Sequence, residues 1–253
     1  MIKINNLCMD FKSELTHENQ KVLKDISFDV LAGDCLGILG ESGSGKSTLG
    51  KIIVGLLKPT KGEYLFKNVD PYKSRQGKKF LSQHISIVFQ DYRTSVNPRF
   101  TVEEIIWESL KLRNNKKGEK LNLKAEIIEL LNLVGLDEGY LKRFPHQLSG
   151  GQLQRVCIAR AIALEPNVIL FDEAIGSLDA HTQVQIMDLL KSLQKKLGIT
   201  YIFITHDLMA VTYLCNKVMF LHNGVITEYI DVVNLSMSRD AYAIKLLNTV
   251  ITL

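Results

Sequence analysis

The run Gly40-Glu41-Ser42-Gly43-Ser44-Gly45-Lys46-Ser47 has the residue types and spacing of a phosphate-binding loop. A glycine-rich turn lets successive backbone N–H groups converge on an anion. Lys46 can reach the β- and γ-phosphates of a nucleoside triphosphate, and the Ser47 hydroxyl can ligate Mg²⁺. The apolar run Cys35-Leu36-Gly37-Ile38-Leu39 before the loop reads as a buried strand. Residues 48–57, beginning with Thr48, read as a helix whose N-terminal dipole would add positive potential at the phosphates. An ordinary glycine turn has no need of this strand–loop–helix context.

Two further segments could do chemistry. Val168-Ile169-Leu170-Phe171 is apolar and ends in Asp172-Glu173. Adjacent carboxylates at the end of a buried strand are costly unless something cationic or reactive meets them. Asp172 could hold Mg²⁺ through its waters, and Glu173 could take a proton from an attacking water as general base. A surface turn after a strand would show the same pair. Leu148-Ser149-Gly150-Gly151-Gln152 opens a predicted helix that runs through Arg155 to Leu164. A glycine pair at a helix N-terminus exposes N–H groups to an anion, and Ser149 can serve both as N-cap and as phosphate donor.

With that pentapeptide the chain resembles the ATP-binding cassette family, whose signature it is, over about residues 1–248. The resemblance implies ATP and Mg²⁺ as cofactors. It places Gln90, after the strand 85–89, in the family's glutamine loop, beside Mg²⁺ or the attacking water and linked to a transmembrane partner. It makes Gly176-Ser177-Leu178-Asp179 the loop that crosses the dimer. It makes His206, in Thr205-His206-Asp207, the switch histidine on the γ-phosphate, helping to orient Glu173. Catalysis would thus rest on Glu173, His206 and Gln90, and the metal on Ser47, Gln90 and Asp172. Nucleotide contacts would come from Gly40 to Thr48 and, across the dimer, from Ser149, Gly150, Gly151, Gln152 and Asp179. Phe11 is the candidate for the aromatic that stacks on adenine, although its position also suits a core residue.

The resemblance narrows at Phe89-Gln90-Asp91-Tyr92-Arg93-Thr94-Ser95-Val96-Asn97-Pro98-Arg99, which is similar to a segment of peptide, nickel and opine-metallophore importers. Phe144-Pro145-His146-Gln147 points the same way. There are departures. Ala174, Ile175, Gly176 and Ser177 replace the family's Pro, Thr, Ser and Ala, and Tyr92 replaces a proline. Asp240-Ala241-Tyr242-Ala243 looks like a degenerate His-Pro-Tyr-Thr element, and the chain stops where peptide-importer subunits often continue. That shortness leans towards the nickel or metallophore branch. The implied partners are two transmembrane permease subunits, a second ATPase subunit, with a heterodimer favoured, and an extracytoplasmic binding protein reached through the permease. The implied place is the cytoplasmic face of the cell membrane, as a peripheral subunit. Two other readings stand beside this one. One is a soluble cassette ATPase acting on DNA or the ribosome. The other is a structural cassette subunit that barely hydrolyses ATP.

The composition is that of a folded protein. The 253 residues are 46% hydrophobic and 23% charged, enough for a sizeable core. A net charge of +4 is too small to argue for nucleic acid. The basic stretches 73–79 and 113–120 read as solvated surface loops, the second a linker between helices; contact with an anionic membrane face is the sharper alternative. The four cysteines stand singly, without metal or disulfide spacing, as buried thiols would. No apolar run approaches the roughly 18 residues of a membrane span, and the N-terminus lacks a signal-peptide core.

The elements needed to hold the motifs can be read from periodicity. Residues 1–33 alternate as strands with one wet face, followed by strands at 62–66, 85–89, 167–171 and 200–205. Helical spacing appears at 101–112, 123–134, 180–197 and 207–214. Asn223-Gly224 reads as a hairpin turn between strands 217–221 and 225–230. The expected fold is α/β: a P-loop NTPase (RecA-like) core with a mainly parallel sheet, an N-terminal antiparallel β subdomain and an inserted α-helical subdomain. Residues 1–90 and 149–235 form the expected ATPase core with its β subdomain. Residues 91–148 form the helical subdomain, whose signature helix continues to about 164. Residues 236–253 form a short C-terminal helix.

Overall fold

The computed structural model describes residues 1–12, 19–117 and 123–251. They fall into two compact units, one of residues 1–82 with the chain from 200 onward, the other of residues 83–199.

The first unit begins with an antiparallel sheet. Strand β1 (Ile2–Lys12) lies between β2 (Asn19–Val30) and β4 (Lys61–Phe66), with Ile4 opposite both Phe28 and Tyr64. The inward residues of β1 are Ile2 and Ile4, then Leu7 and Met9. That change of phase needs one extra residue, supplied by a bulge where Asn6 takes φ +48° and gives its N–H to Ser27 Oγ. Strand β3 (Cys35–Leu39) is buried at every position.

Helix α1 (Lys46–Ile53) starts two residues before the predicted helix and ends four residues before it. It starts early because Gly45, at φ +105°, turns the chain straight into the first helical turn. It stops early because Gly55 turns at φ +79°. The Tyr64 hydroxyl donates to the Ile53 carbonyl at 2.8 Å, and the Tyr72 hydroxyl lies against the carbonyls of Ile52 and Leu57. The Tyr64 hydroxyl thus satisfies an orphan carbonyl of the last turn.

Helix α2 (Arg75–His84) corrects the reading of 73–79 as a surface loop. It is amphipathic: Gly77 and Leu81 are buried, Phe80 packs on Phe66, and the lysines face out. Ser74 Oγ accepts the Gly77 N–H at its start.

The second unit holds a parallel pair, β5 (Ile85–Val88) and, later in the chain, β6 (Val168–Asp172). Between them run α3 (Val102–Lys117), α4 (Leu123–Leu133) and α5 (Gly150–Ile162), and α3 and α4 both pack on α5. Thr101 and Glu104 exchange the hydrogen bonds of a capping box at the start of α3. Residues 113–117 of the expected linker belong instead to α3, which continues to Lys117; the rest of that segment, 118–120, lies outside the described residues. Arg113 is no surface residue either. Its side chain is 8% exposed and pairs with Glu126 and Glu165. A buried guanidinium requires such partners. Helix α6 (Ala180–Leu197) closes this unit with its predicted bounds.

The chain returns to the first unit with β7 (Thr200–Thr205), α7 (Leu208–Leu214), β8 (Lys217–His222) and β9 (Val225–Asp231). Strands β7 and β8 flank β3 in parallel, and β9 pairs antiparallel with β8 through the turn Asn223-Gly224, both at positive φ. Helix α7 sits directly on β3: a Cβ at Gly37 would come within 2.6 Å of Val211 Cγ1. The fold also gathers two cysteines that are 180 residues apart in sequence, Cys35 and Cys215, with Sγ atoms 3.4 Å apart. The final helix, α8 (Ala241–Ile251), starts five residues later than 236 because a 3₁₀ stretch over Val232–Met237 comes first. Among the described residues no helix is long and apolar enough to cross a membrane.

Candidate functional site

In the first unit the phosphate loop leaves β3 at Gly40. A Cβ there would lie 2.3 Å from the Leu221 carbonyl, so no side chain fits. Gly43 and Gly45 take φ +81° and +105°. The Ser44 N–H returns to the Glu41 carbonyl at 3.2 Å, and the Gly224 N–H of the β8–β9 turn braces the Ser44 carbonyl at 3.1 Å. Lys46 is 5% exposed, and its ammonium donates to the carbonyls of Gly40 at 2.7 Å and Glu41 at 2.9 Å. Ser47, exposed, and Thr48, half-buried, lie in the first turn of α1. That turn presents N–H groups that the helix itself does not use. Ser44 Oγ is buried and has no hydrogen-bond partner among the described residues. A left-handed glycine loop, a cation held on carbonyls that a phosphate can replace, and an orphaned hydroxyl together fit a bound polyphosphate.

The register brings His206 to the same edge. Leu39 pairs with Thr205, so the phosphate loop and His206 leave adjacent parallel strands side by side. His206 is exposed on a link fixed at both ends. The Asp207 N–H donates to Thr205 Oγ1, and Asp207 Oδ1 caps α7 by accepting from Met209 and Ala210. Phe11 is 40% exposed near the end of β1, opposite Gln20. It is therefore not a core residue.

In the second unit Val88 pairs with Phe171, which brings Gln90 and the Asp172-Glu173 pair to one edge. Gln90 Nε2 donates to Glu173 Oε2 at 3.1 Å. Asp172 and Glu173 are half-buried. Glu173 takes φ +47°, a left-handed conformation that costs a non-glycine residue about 1 kcal/mol or more. Such strain concentrates where a side chain must be aimed. Past it, Ala174 and Ile175 are buried while Gly176 and Ser177 are exposed. Gln183 Nε2 bonds the carbonyls of Ile175 and Leu178 at 3.1 Å, holding this loop on α6. Asp179 caps α6; the Thr182 N–H and hydroxyl hold its carboxyl below the usual aspartate value.

The signature segment lies on the same unit. Ser149 Oγ accepts the Gln152 N–H at 3.3 Å, and Gln152 Oε1 accepts the Ser149 N–H at 2.9 Å. Ser149 is thus the N-cap read from the sequence, while the Gln152 amide is engaged by this cap and by the Tyr140 hydroxyl at 3.0 Å. Both glycines have packing reasons. A Cβ at Gly151 would meet Thr182 Cγ2 at 2.6 Å, and one at Gly150 would meet the Tyr92 hydroxyl at 2.7 Å. In the sequence Tyr92 stood out only as a replaced proline; its place beneath the signature glycine had no local signal there. Arg160 extends the same contact, donating to the Ser95 carbonyl at 2.6 Å.

Comparison with known proteins agrees with this geometry. The ABC transporter family model matches residues 23–176. The chain is 41% identical, over 98% of both chains, to the metal-staphylopine import system ATP-binding protein CntF of Staphylococcus aureus. It is 44% identical to the nickel import ATP-binding protein NikE of Escherichia coli, over 84% of this chain and 79% of that one. It is 43% identical to the oligopeptide transport ATP-binding protein OppF of Bacillus subtilis, over 82% of this chain and 68% of that one. Among solved structures, the ATP-binding cassette MJ0796, in a dimeric post-hydrolysis state bound to ADP and phosphate, superposes with a TM-score of 0.81 at 32% identity. That match covers 92% of this chain and 99% of that one. Phosphate loop, acid pair, signature and these likenesses converge: the chain belongs to the ABC transporter family, as an ATP-binding and ATP-hydrolysing subunit.

Proposed function

We propose that this chain powers a membrane importer whose cargo is a metal–metallophore complex, with nickel and peptides as the neighbouring cargo classes. The observation that carries the importer reading is the 41% identity to a metal-staphylopine import subunit along 98% of both chains. None of the relatives named above acts on DNA or the ribosome, so that alternative has no support.

The proposed chemistry assigns each residue a role. Lys46, the loop residues Gly40 to Thr48 and the exposed face of Phe11 bind ATP. The hydroxyl of Ser47 and the carboxylate of Asp172, with Gln90, would hold Mg²⁺; when bound, the ion neutralises charge developing on the phosphates. Glu173 takes a proton from the attacking water. The Gln90 amide, 3.1 Å from its carboxylate, aims it. His206 donates to the γ-phosphate. Ser149 and the N-terminus of α5, with Asp179, act on the ATP of a second ATPase subunit. Closure of that pair on ATP stabilises one conformation because only that conformation supplies all the γ-phosphate donors. The pair would be a heterodimer at the cytoplasmic face, bound to two permease subunits that a binding protein supplies with cargo.

Affinity purification of the tagged chain from native membranes, with mass spectrometry of its companions, tests this reading. Two permease subunits and a second ATPase are expected. Recovery only with ribosomal or DNA-repair proteins would overturn it.

A further inference from the structure

The last helix touches the phosphate loop. Glu41, the second residue of that loop, has every polar group engaged. Its N–H donates to the Tyr242 hydroxyl at 2.8 Å, its carbonyl accepts from Lys46 Nζ at 2.9 Å, and its carboxylate lies 3.7 Å from Lys245 Nζ. Tyr242 and Lys245 stand three residues apart on one face of α8, whose start is fixed by Asp240 accepting the Ala243 N–H. The Tyr242 ring is itself held: it is 8% exposed and stacks on His222 with ring centroids 4.3 Å apart. His222 is the last residue of β8, immediately before the turn that braces Ser44.

We propose that Tyr242 is a positioning residue for ATP binding: its hydroxyl accepts the Glu41 N–H and fixes the start of the phosphate loop in its binding shape. The proposal rests on the ATP reading above. The loop is anchored from outside as well as by its own bonds. A Cβ at Gly43 would meet nothing within 4 Å, so nothing packs against the loop at that residue. Besides the bonds within it, from the Ser44 N–H and Lys46 Nζ to the Glu41 carbonyl, two bonds hold it from outside, one to Ser44 from the hairpin turn and one to Glu41 from α8. A loop ordered before the ligand arrives loses less entropy on binding. The Glu41 N–H, spent on Tyr242, leaves the phosphate contacts to the N–H groups farther along the loop.

The test uses the purified full chain and a methylanthraniloyl-labelled ATP with Mg²⁺. Tyr242→Phe removes one hydrogen bond and should weaken nucleotide binding roughly three- to tenfold. Tyr229→Phe is the control. It removes a similar bond, from the Tyr229 hydroxyl to the Asp29 carbonyl at 2.8 Å, away from the loop. It should lower the melting temperature and leave nucleotide affinity within twofold. Hydrogen exchange adds a readout independent of any variant: the Glu41 amide should be protected in the native chain, and Tyr242→Phe should release it. Unchanged affinity in Tyr242→Phe overturns the proposal even if its melting temperature falls, as does a native Glu41 amide that exchanges like an unprotected one. Lys46→Ala separates the two readings. If it binds the probe as the native chain does, the ATP site itself is misassigned.

Discussion

A methyl group at Gly150 would strike the Tyr92 hydroxyl. The Cβ of Gly150→Ala would lie 2.7 Å from that oxygen, against an ordinary contact of at least 3.4 Å, so about 3.4 − 2.7 = 0.7 Å must be found. Tyr92 has little room to give way. It is 7% exposed, its carbonyl accepts from Ser95 Oγ at 2.9 Å, and the Ser95 carbonyl is tied to Arg160. Overpacking of this kind costs about 1–3 kcal/mol. The gain in helix propensity from Gly to Ala, at most about 1 kcal/mol, offsets part of it. A net loss of roughly 1–2 kcal/mol is expected for Gly150→Ala. Tyr92→Phe should relieve it. Without the oxygen the nearest ring atom is Cζ at 3.5 Å, and the remaining close neighbour, Leu178 Cδ2 at 3.3 Å, is the end of a flexible side chain. The assay is urea unfolding of the two single variants and the double variant, read as a double-mutant cycle. The double variant should be about 1 kcal/mol or more stabler than the sum of the single effects implies. A Gly150→Ala protein as stable as the native chain, or strictly additive effects, would refute the contact.

Asp34 should make stability sensitive to acid. Burial pushes its carboxyl up, but hydrogen bonds from the Leu31 N–H, Lys217 and Asn216, with the Lys217 charge, outweigh it and hold the folded-state value below that of the unfolded chain. The contribution is therefore present at neutral pH and lost as pH falls below about 4. Urea midpoints of the native chain and Asp34→Asn, compared between pH 7 and pH 3, should differ most at pH 7 and converge in acid. Tyr64→Phe should cost about 1–2 kcal/mol, because the Ile53 carbonyl loses its donor inside the core, and thermal unfolding reads it. Phe11→Ala should leave stability within about 0.5 kcal/mol, the residue being exposed, yet weaken ATP binding by about 1 kcal/mol or more if the ring stacks on adenine. Nucleotide titration against the melting curve separates the two effects.

What the sequence made legible was whatever is local. The apolar runs inside β3, β6 and β7 needed no partner to be recognised, and the N-caps Ser149 and Asp179 act on N–H groups three residues away. The bounds of α6 came out as read because a capping residue and a left-handed Gly198 mark its two ends. Misreadings came from long-range packing. The lysines of α2 hid a helix whose inward face is only Gly77, Phe80 and Leu81. Arg113 looked like solvent-facing charge because its partners, Glu126 and Glu165, lie 13 and 52 residues away. The same holds at the site. The phosphate loop, acid pair and signature each carry their chemistry in consecutive residues. Tyr92 beneath Gly150 and Tyr242 against Glu41 are contacts across 58 and 201 residues, with no periodicity to announce them.

The most direct measurement is ATP turnover by the membrane complex purified through this chain, with and without Glu173→Gln. The substitution keeps the size of the side chain and removes the base. Turnover attributable to this subunit should fall by about 10²–10⁴-fold while labelled ATP still binds. Unchanged turnover, in a complex whose other ATPase subunit carries the equivalent substitution, would contradict the assignment of Glu173 and with it the hydrolytic role of this chain.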